Sequence, residues 1–172
     1  TWDSLMDDCE DPSQGPIIGS IVGGNEDFVY EEVTNFPGLK LFLEEKLEEY
    51  NMEPKLIPMD LVLFKDAIRH ICRIHRVLRI PRANMMLIGI GGSGRQSLAR
   101  LAAYAAEYSV FSIEITNQYR SNEFHEDLKM LFLKAGGENK PTVFRFNDTQ
   151  IKEPSFLEDV ANILSSGTVP NL

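Results

Sequence analysis

The chain has 172 residues, of which 43% are hydrophobic and 25% are charged, and its formal net charge is −9. This composition is that of a folded globular protein, so it excludes a mostly disordered, collagen-like or disulfide-stapled chain. No apolar run reaches about 18 residues, so we expect no transmembrane helix. The acidic balance argues against bulk electrostatic binding to nucleic acid or to an anionic membrane.

Charge is distributed unevenly along the chain. Residues 1–59 carry three Lys/Arg and fourteen Asp/Glu, whereas residues 60–104 carry eight Lys/Arg and two Asp/Glu. The basic middle is therefore where we expect an anion to bind. A zinc-protease site is not indicated, because His125 and Glu126 begin like HExxH but Lys129 stands where the second His is needed.

The first 57 residues are predicted to form an acidic segment ahead of the main domain. Thr1 to Asp27 is rich in turn residues, which is typical of a strap with a short strand or hairpin. Phe28 to Tyr30 is predicted to be another short extended piece. Between residues 38 and 51, apolar positions at helical spacing alternate with glutamates, which predicts a helix.

A long helix is predicted over residues 60–79, with Asp60 as its N-cap and Pro81 beyond its end. Apolar side chains repeat every three or four residues on one face, which is typical of a helix packed against a core. Basic side chains repeat on another face, at Lys65, Arg69, Arg73 and Arg76. They indicate either a solvated face or a docking face for a neighbouring domain.

Strands and helices then alternate three times. The predicted pairs are a buried parallel strand Met85–Ile88 with a helix 96–108, a strand Val110–Ile115 with a helix 122–134, and a strand Thr142–Phe146 with a helix 154–164. This alternation predicts an α/β fold with a parallel sheet flanked by helices. Right-handed crossovers would place the strand ends, and any ligand, along one edge of the sheet.

A glycine-rich loop lies between the first of these strands and its helix; we call residues 89–97 the glycine loop. Glycines let the backbone turn several N–H groups toward one point, and the N-terminus of the following helix adds partial positive charge there. Such loops bind phosphate more often than they form ligand-free turns. The candidate phosphate-binding residues are Gly89, Gly91, Gly92, Ser93, Gly94, Arg95, Gln96 and Ser97.

One interpretation of the loop is a dinucleotide-binding site. Gly89, Gly91 and Gly94 satisfy the spacing G-x-G-x-x-G, and Glu114 lies 20 residues beyond Gly94, near where a ribose-binding acid would stand. Glu114 falls inside a predicted strand and not clearly at its end, so this match is weak.

The other interpretation is a P-loop. Gly89 and Gly94 satisfy G-x-x-x-x-G, after which a P-loop has Lys and then Ser or Thr. Here Arg95 and Gln96 follow, so the cation has a different shape and the hydroxyl that would hold Mg²⁺ is replaced by an amide. A hydroxyl comes one position later, at Ser97.

A P-loop site also needs an acidic residue at the end of another strand, where it helps to hold Mg²⁺. The apolar stretch over residues 142–148 ends in Asn147 and Asp148. Either Asp148 is the acid on the Mg²⁺ side, or Asn147 occupies that place and Asp148 stands where the water-activating residue would be. Together with the glycine loop, this ending favours a P-loop over a dinucleotide site.

The stretch from Pro58 to Leu172 closely resembles the fourth AAA+ module of dynein heavy chains, especially the axonemal ones. The motifs that carry the resemblance follow the family's order: Pro58 to Phe64, His70 to Ile74, Gly89 to Leu98, Lys134 to Gly136, Asn147 to Ile151, Phe156 to Asp159 and Ser166 to Leu172. The resemblance implies a partial large α/β subdomain of the AAA+ P-loop NTPase type over residues 58–172. Residues 1–57 resemble, more loosely, the linker before it.

The resemblance also implies what the site does. Residues 89–97 correspond to the Walker A loop, with Arg95 for its Lys and Gln96 for its Ser/Thr. Asn147 takes the place of the Walker B Asp, and Asp148 that of the Glu, as a catalytic candidate. The implied ligand is ATP or ADP. Gln96 and Asn147 are weak Mg²⁺ candidates, because neutral amides hold Mg²⁺ less well than carboxylates.

We therefore expect a regulatory or structural nucleotide-binding module with little or no hydrolysis, which in this family is not the main hydrolysis site. The implied partners are neighbouring AAA+ modules, dynein intermediate and light chains, and microtubules, in the cytoskeleton and the ciliary or flagellar axoneme; no nucleic acid or membrane is implied. The rest of the module would lie outside this chain. Alternatives are an active P-loop ATPase, a dinucleotide-binding domain and an interaction-only module.

Overall fold

The computed structural model describes residues 18–19, 31–33, 35–170 and 172. Its elements, in chain order, are β1 (Ile18–Gly19), β2 (Glu31–Glu32), α1 (Phe36–Met52), α2 (Lys65–Arg79), α3 (Arg95–Ala105), β3 (Ser109–Ser112), α4 (Ser121–Phe132), β4 (Thr142–Arg145) and α5 (Pro154–Ser166). A π-helical turn, Leu133–Gly137, follows α4, and a 3-10 turn, Asp148–Gln150, follows β4. Among the described residues, every helix is too short or too polar to span a lipid bilayer.

The five predicted helices are present, but α2 begins at Lys65 and the prediction that Asp60 caps it was wrong. The backbone before Lys65 is extended, with Leu63 buried and Leu61 half-buried while their neighbours are exposed. The extended segment is held from α1: Asn51 accepts a hydrogen bond from the Met59 N–H at 2.8 Å and donates to the Met59 carbonyl at 3.0 Å. These hydrogen bonds join residues eight positions apart and hold Met59 against α1, and the helical spacing of the sequence does not predict them.

The ends of α3 also differ from the prediction, because the helix stops at Ala105 and not near residue 108. Glu107 adopts φ 62°, in the left-handed region, and the next N–H, of Tyr108, donates to the Ala103 carbonyl at 2.9 Å. This hydrogen bond ends the helix and gives one of its last carbonyls a donor. The chain can then enter β3 directly.

Parallel pairing joins β3 to β4, with Ser109 opposite Thr142 and Ser112 opposite Arg145. The predicted strands Val110–Ile115 and Thr142–Phe146 are therefore present but shorter at their C-terminal ends. Near the start of the chain, β1 and β2 pair antiparallel. The extended piece predicted over residues 28–30 lies outside the described residues.

The segment Met85–Ile88 is not a buried strand, and that prediction was wrong. Within the described residues it joins neither strand pair, and Met86 and Ile88 are 82% and 86% exposed. A strand is held in a sheet by hydrogen bonds to a neighbouring strand. The described part of the chain places no such neighbour beside this segment, so its apolar side chains face outward.

Two hydrophobic cores hold the described residues together. The aliphatic core lies between α1, α2 and α3, and its buried members include Leu39, Leu43, Leu63, Ile68, Ile71, Leu98, Leu101 and Ala102. The aromatic core lies between the β3–β4 pair, α4 and α5, and includes Tyr119, Phe124, Leu128 and Phe156, with Phe111, Phe144 and Phe146 packed against it. Phe124 and Phe156 stack with ring centroids 4.2 Å apart.

Helix α2 carries two buried titratable side chains, His75 and Cys72. Burial, with a smaller contribution from the Arg79 cation, lowers the pKa of His75 to about 4. Burial raises the pKa of the Cys72 thiol to about 11. Desolvation penalises the charged form of each group, so both are neutral near pH 7.

Candidate functional site

The glycine loop leads directly into α3, whose N-cap is Gly94. Gly94 has φ 73° and Gly92 has φ 79°, both in the left-handed region that residues with a Cβ rarely adopt. A Cβ on Gly91 or Gly92 would meet no atom within 4 Å, so at Gly92 backbone conformation and not space calls for glycine. These two left-handed residues reverse the direction of the chain, so that the first turn of α3 lies next to the loop.

The loop presents unpaired backbone donors. Ser93 donates its N–H to the Ile90 carbonyl at 3.3 Å, whereas the N–H groups of Gly91, Gly92 and Gly94 form no backbone hydrogen bond within the described residues. The N–H groups of the first turn of any α-helix also lack helical partners, and they carry the positive end of the helix dipole. This arrangement suits an anion such as phosphate.

Arg95 folds back over the loop that precedes it. Its guanidinium donates from Nη1 to the Leu87 carbonyl at 3.4 Å and from Nη2 to the Ile90 carbonyl at 3.2 Å. The side chain passes close to Gly89, where a Cβ would lie 3.3 Å from Arg95 Cδ. The positive charge of Arg95 therefore lies beside the loop, and its hydrogen bond to Leu87 links the exposed segment 85–88 to α3.

Gln96 connects α3 to the strand pair. Its Oε1 accepts a hydrogen bond from Arg145 Nη1 at 2.9 Å, and Arg145 Nη2 donates to Ser112 Oγ at 3.2 Å. Arg145 is the last residue of β4 and Ser112 the last of β3, so this guanidinium joins the loop helix to the C-terminal ends of both strands. Ser97, the displaced hydroxyl of the motif, follows within α3 and is half-buried.

The turn after β4 is fixed by Gln150, which is buried. Its Oε1 accepts from the Asn147 N–H at 2.7 Å, and its Nε2 donates to the Ile113 carbonyl at 2.7 Å and to Ser112 Oγ at 3.2 Å. Asn147 is half-buried beside this network, whereas Asp148 is exposed and accepts from the Thr149 N–H at 2.9 Å. Asn147 and Asp148 thus lie at the C-terminal end of β4, as the sequence predicted.

Sequence reasoning did not find Arg145 or Gln150 as members of this site. A signal for Arg145 was present, since a lone cation interrupts the apolar run from Val143 to Phe146. Glu114, the acid of the dinucleotide interpretation, is exposed just after β3. No interaction in the described residues joins it to the glycine loop.

The residues at this edge fit phosphate better than a divalent cation. The described residues contain no group of three or more His, Cys, Asp or Glu side chains that could hold a metal ion. The Gln96 oxygen already accepts from a guanidinium, and a positive charge beside it repels a second cation. Of the two candidates after β4, Asn147 is a neutral amide, and Asp148 is exposed and accepts from the Thr149 N–H of its own turn. Mg²⁺ prefers several carboxylate oxygens, so it fits this arrangement poorly.

His125, which the sequence excluded from a zinc motif, has a structural partner. Its Nε2 lies 2.9 Å from Asp159 Oδ2, and this pair links α4 to α5 on the outside of the aromatic core. On α2, Arg69 lies within 3.7 Å of Asp66, while Arg73 and Arg76 are exposed. Whether that basic face is solvated or docks a neighbour stays a prediction.

Comparison with known proteins places the chain in a family. Residues 59–172 match the family model described as the P-loop containing dynein motor region D4. The chain is similar to the Dynein-1-beta heavy chain of the flagellar inner arm I1 complex of Chlamydomonas reinhardtii, with 60% identity over 144 residues, which is 84% of this chain and 3% of that protein. It is also similar to human dynein axonemal heavy chains 2 and 10, at 55% identity over 157 residues and 43% over 172 residues, covering 91% and 98% of this chain and 4% of each relative.

The chain thus spans 3% to 4% of the length of these relatives. The family model covers both the glycine loop and the turn after β4, and it confirms the predicted AAA+ P-loop fold class. With most of its length matched by that model and by relatives at 43% to 60% identity, the chain belongs to the dynein heavy chain family, and residues 59–172 are its P-loop containing D4 motor region.

Proposed function

We propose that the glycine loop binds the phosphates of ATP or ADP, and that the segment acts as a regulatory nucleotide-binding module with little or no hydrolysis. The observation that carries this proposal is a run of loop N–H groups without backbone hydrogen bonds in the described residues, directly before the N-terminus of α3. Arg95 stands beside the loop, and Arg145 reaches the same helix from β4. This geometry suits a polyphosphate anion.

We expect weak hydrolysis because of the side chains at the positions that would hold Mg²⁺. Hydrolysis of ATP at a P-loop uses a metal ion on the β- and γ-phosphates and a residue that orients water. Gln96 and Asn147 supply neutral amides, and Gln96 is engaged by Arg145. Asp148 retains a carboxylate at the water-activating position, but it is exposed and hydrogen-bonded to its own turn.

The wider role rests on the relatives. Their names assign them to the axoneme and to a flagellar inner arm complex. We propose that this segment contributes to ATP-driven movement along microtubules in a cilium or flagellum. It would do so beside further AAA+ modules of its own heavy chain and with dynein intermediate and light chains.

Nucleotide binding is tested by hydrogen-exchange mass spectrometry on the full-length protein that contains this sequence, with ATP or ADP added. We expect the loop amides over residues 89–97 to become protected. Gly94→Val should abolish this protection, because a β-branched residue strains a backbone at φ 73°. The matched control is Gly136→Val, since a Cβ there meets nothing within 4 Å and its φ is not positive. Absence of protection in the unaltered protein would rule out nucleotide binding at the loop.

Hydrolysis is tested separately by single-turnover measurement in the same protein with its main hydrolysis site disabled. We expect residual turnover to be insensitive to Asp148→Asn. Turnover at the rate of an ordinary AAA+ site, abolished by Asp148→Asn, would favour the active P-loop ATPase instead.

A further inference from the structure

Arg145 brings a positive charge to the place where a P-loop site usually needs one. The residue that follows the loop cation in a P-loop, here Gln96, normally carries the hydroxyl that holds Mg²⁺ beside the phosphates. In this chain the Gln96 oxygen accepts from Arg145 Nη1 at 2.9 Å instead. A guanidinium therefore lies within hydrogen-bond distance of the side chain that occupies the Mg²⁺-binding position.

This charge lacks an opposite charge in the described part of the chain. No Asp or Glu there lies within ion-pair distance of Arg145, and its Nε is buried without a hydrogen-bond partner. Burial, and then the neighbouring Arg100 cation, lower the pKa of Arg145. An anion in this neighbourhood would relieve both the desolvation and the repulsion.

Arg145 can accept such an anion without leaving its present partners. A guanidinium has five N–H donors, two on each terminal nitrogen and one on Nε. The contacts with Gln96 and Ser112 use one donor on each terminal nitrogen. One further donor remains on each, and guanidinium groups bind phosphate through such paired donors.

We propose that Arg145 takes the place of the divalent cation at this site, so that the glycine loop binds a nucleoside di- or triphosphate without requiring Mg²⁺. The proposal rests on the proposed function, because it assumes that phosphate binds at the loop. It gives a physical reason for the poor fit of Mg²⁺: Gln96 is a hydrogen-bond acceptor for a fixed guanidinium and not a metal ligand.

The test uses the full-length protein and ADP as the probe, with exchange protection of the loop amides over residues 89–97 as the readout. Half-protecting ADP concentrations are compared in excess Mg²⁺ and in excess EDTA. We expect the two concentrations to agree within about threefold. Arg145→Gln should raise the concentration in EDTA about tenfold or more, as expected for loss of a charge-assisted contact.

Two further variants control the experiment. Arg120→Gln removes the same charge from an exposed position at the start of α4 and should leave both concentrations unchanged. Gln96→Ser restores the P-loop hydroxyl and frees the space beside it, so binding should become tighter in Mg²⁺ than in EDTA. Exchange rates in β4 and α3 without ADP show whether Arg145→Gln keeps the fold.

The outcomes separate the two proposals. Protection of the unaltered protein only in Mg²⁺ would overturn the role of Arg145 while leaving nucleotide binding intact. Protection in EDTA that Arg145→Gln does not weaken would also overturn it. Absence of protection in both solutions would overturn nucleotide binding itself, and the Arg145 proposal with it.

Discussion

The aliphatic and aromatic cores each position one half of the candidate site. The loop helix α3 is anchored in the aliphatic core through Leu98, Leu101 and Ala102. The end of β4, which leads to Asn147, is anchored in the aromatic core through Phe144 and Phe146. The site therefore lies where two separately packed regions meet, and its geometry depends on the contacts that join them.

The two cores also differ in chemistry. The aliphatic core is built mainly from branched side chains with an edge-on pair of rings, and its helix α2 carries a buried neutral imidazole and a buried neutral thiol. The aromatic core is built from stacked and edge-on rings, and its polar contacts include the Tyr119 hydroxyl, which donates to Asp127. Lowering the pH should therefore destabilise the aliphatic core first, whereas removing an aromatic ring should destabilise the aromatic core.

The largest expected effect comes from Phe156→Ala. Phe156 is fully buried, stacks on Phe124 and meets Tyr119 edge-on, so its loss leaves a cavity between α5, α4 and the loop that precedes α4. We expect the free energy of unfolding of the aromatic core to fall by about 3–5 kcal/mol. Native-state hydrogen exchange of the α4 and α5 amides measures this change region by region.

The control for that variant is Leu157→Ala, at the next position of α5, which is 49% exposed. We expect it to cost well under half as much, because about half of its surface is already in water. If Phe156→Ala lowered protection in α1 and α2 as strongly as in α4 and α5, the two cores would unfold as one unit.

A second, smaller effect is the pH dependence of the aliphatic core. The pKa of His75 is about 4 in the folded protein, against about 6.5 for an unperturbed imidazole. Between these values the unfolded state binds a proton that the folded state does not, so stability rises with pH there. We expect about 3 kcal/mol to be lost as the pH falls from about 6.5 to about 4.

That loss is read from exchange of the α2 amides at several pH values. His75→Gln should flatten the profile in this interval, even if it lowers stability overall. His70→Gln, which changes an exposed histidine on the same helix, should leave the profile unchanged. A profile equally steep in the His75→Gln variant would assign the acid sensitivity to other groups.

The features that were predicted well from the sequence are those determined by the spacing of residues within one short stretch. The spacing of Ile68, Ile71 and Ile74 predicts the buried face of α2, and the structure buries all three. The glycine loop and its helix follow from residues within one short stretch. The strand predicted over 85–88 failed because its burial depends on a neighbouring strand, which the segment's own apolar side chains do not reveal.

The contacts that organise the site are long-range, and this is why they were missed. Gln96 and Arg145 are 49 residues apart, and Gln150 and Ser112 are 38 apart. Composition and spacing carry no information about such pairs until the strand register places Arg145 opposite Ser112. Asn51 and Met59 are only eight residues apart, but neither a helical nor a strand period links them, so their hydrogen bonds were also not predicted.

The smallest expected effect is at the start of α1. Asn35 caps this helix by accepting from the Gly38 N–H at 2.9 Å, and a Cβ on Gly38 would collide with the Asn35 side chain. Asn35→Ala should cost about 1 kcal/mol, because one N-terminal donor loses its partner, while Asn35→Ser keeps an acceptor and should cost less. Exchange of the first-turn amides of α1 measures the change.

How far the loss of exchange protection spreads in Asn35→Ala tests whether the aliphatic core unfolds as one unit. α1 touches the loop helix at its far end, where the rings of Tyr50 and Tyr104 meet edge-on at 5.3 Å. If fraying stays within the first turn, protection in α3 should be unchanged, and the position of the glycine loop is independent of the cap. If α3 also loses protection, the aliphatic core is one cooperative unit that couples α1 to the phosphate-binding edge, and changes near residue 35 would then alter ADP affinity.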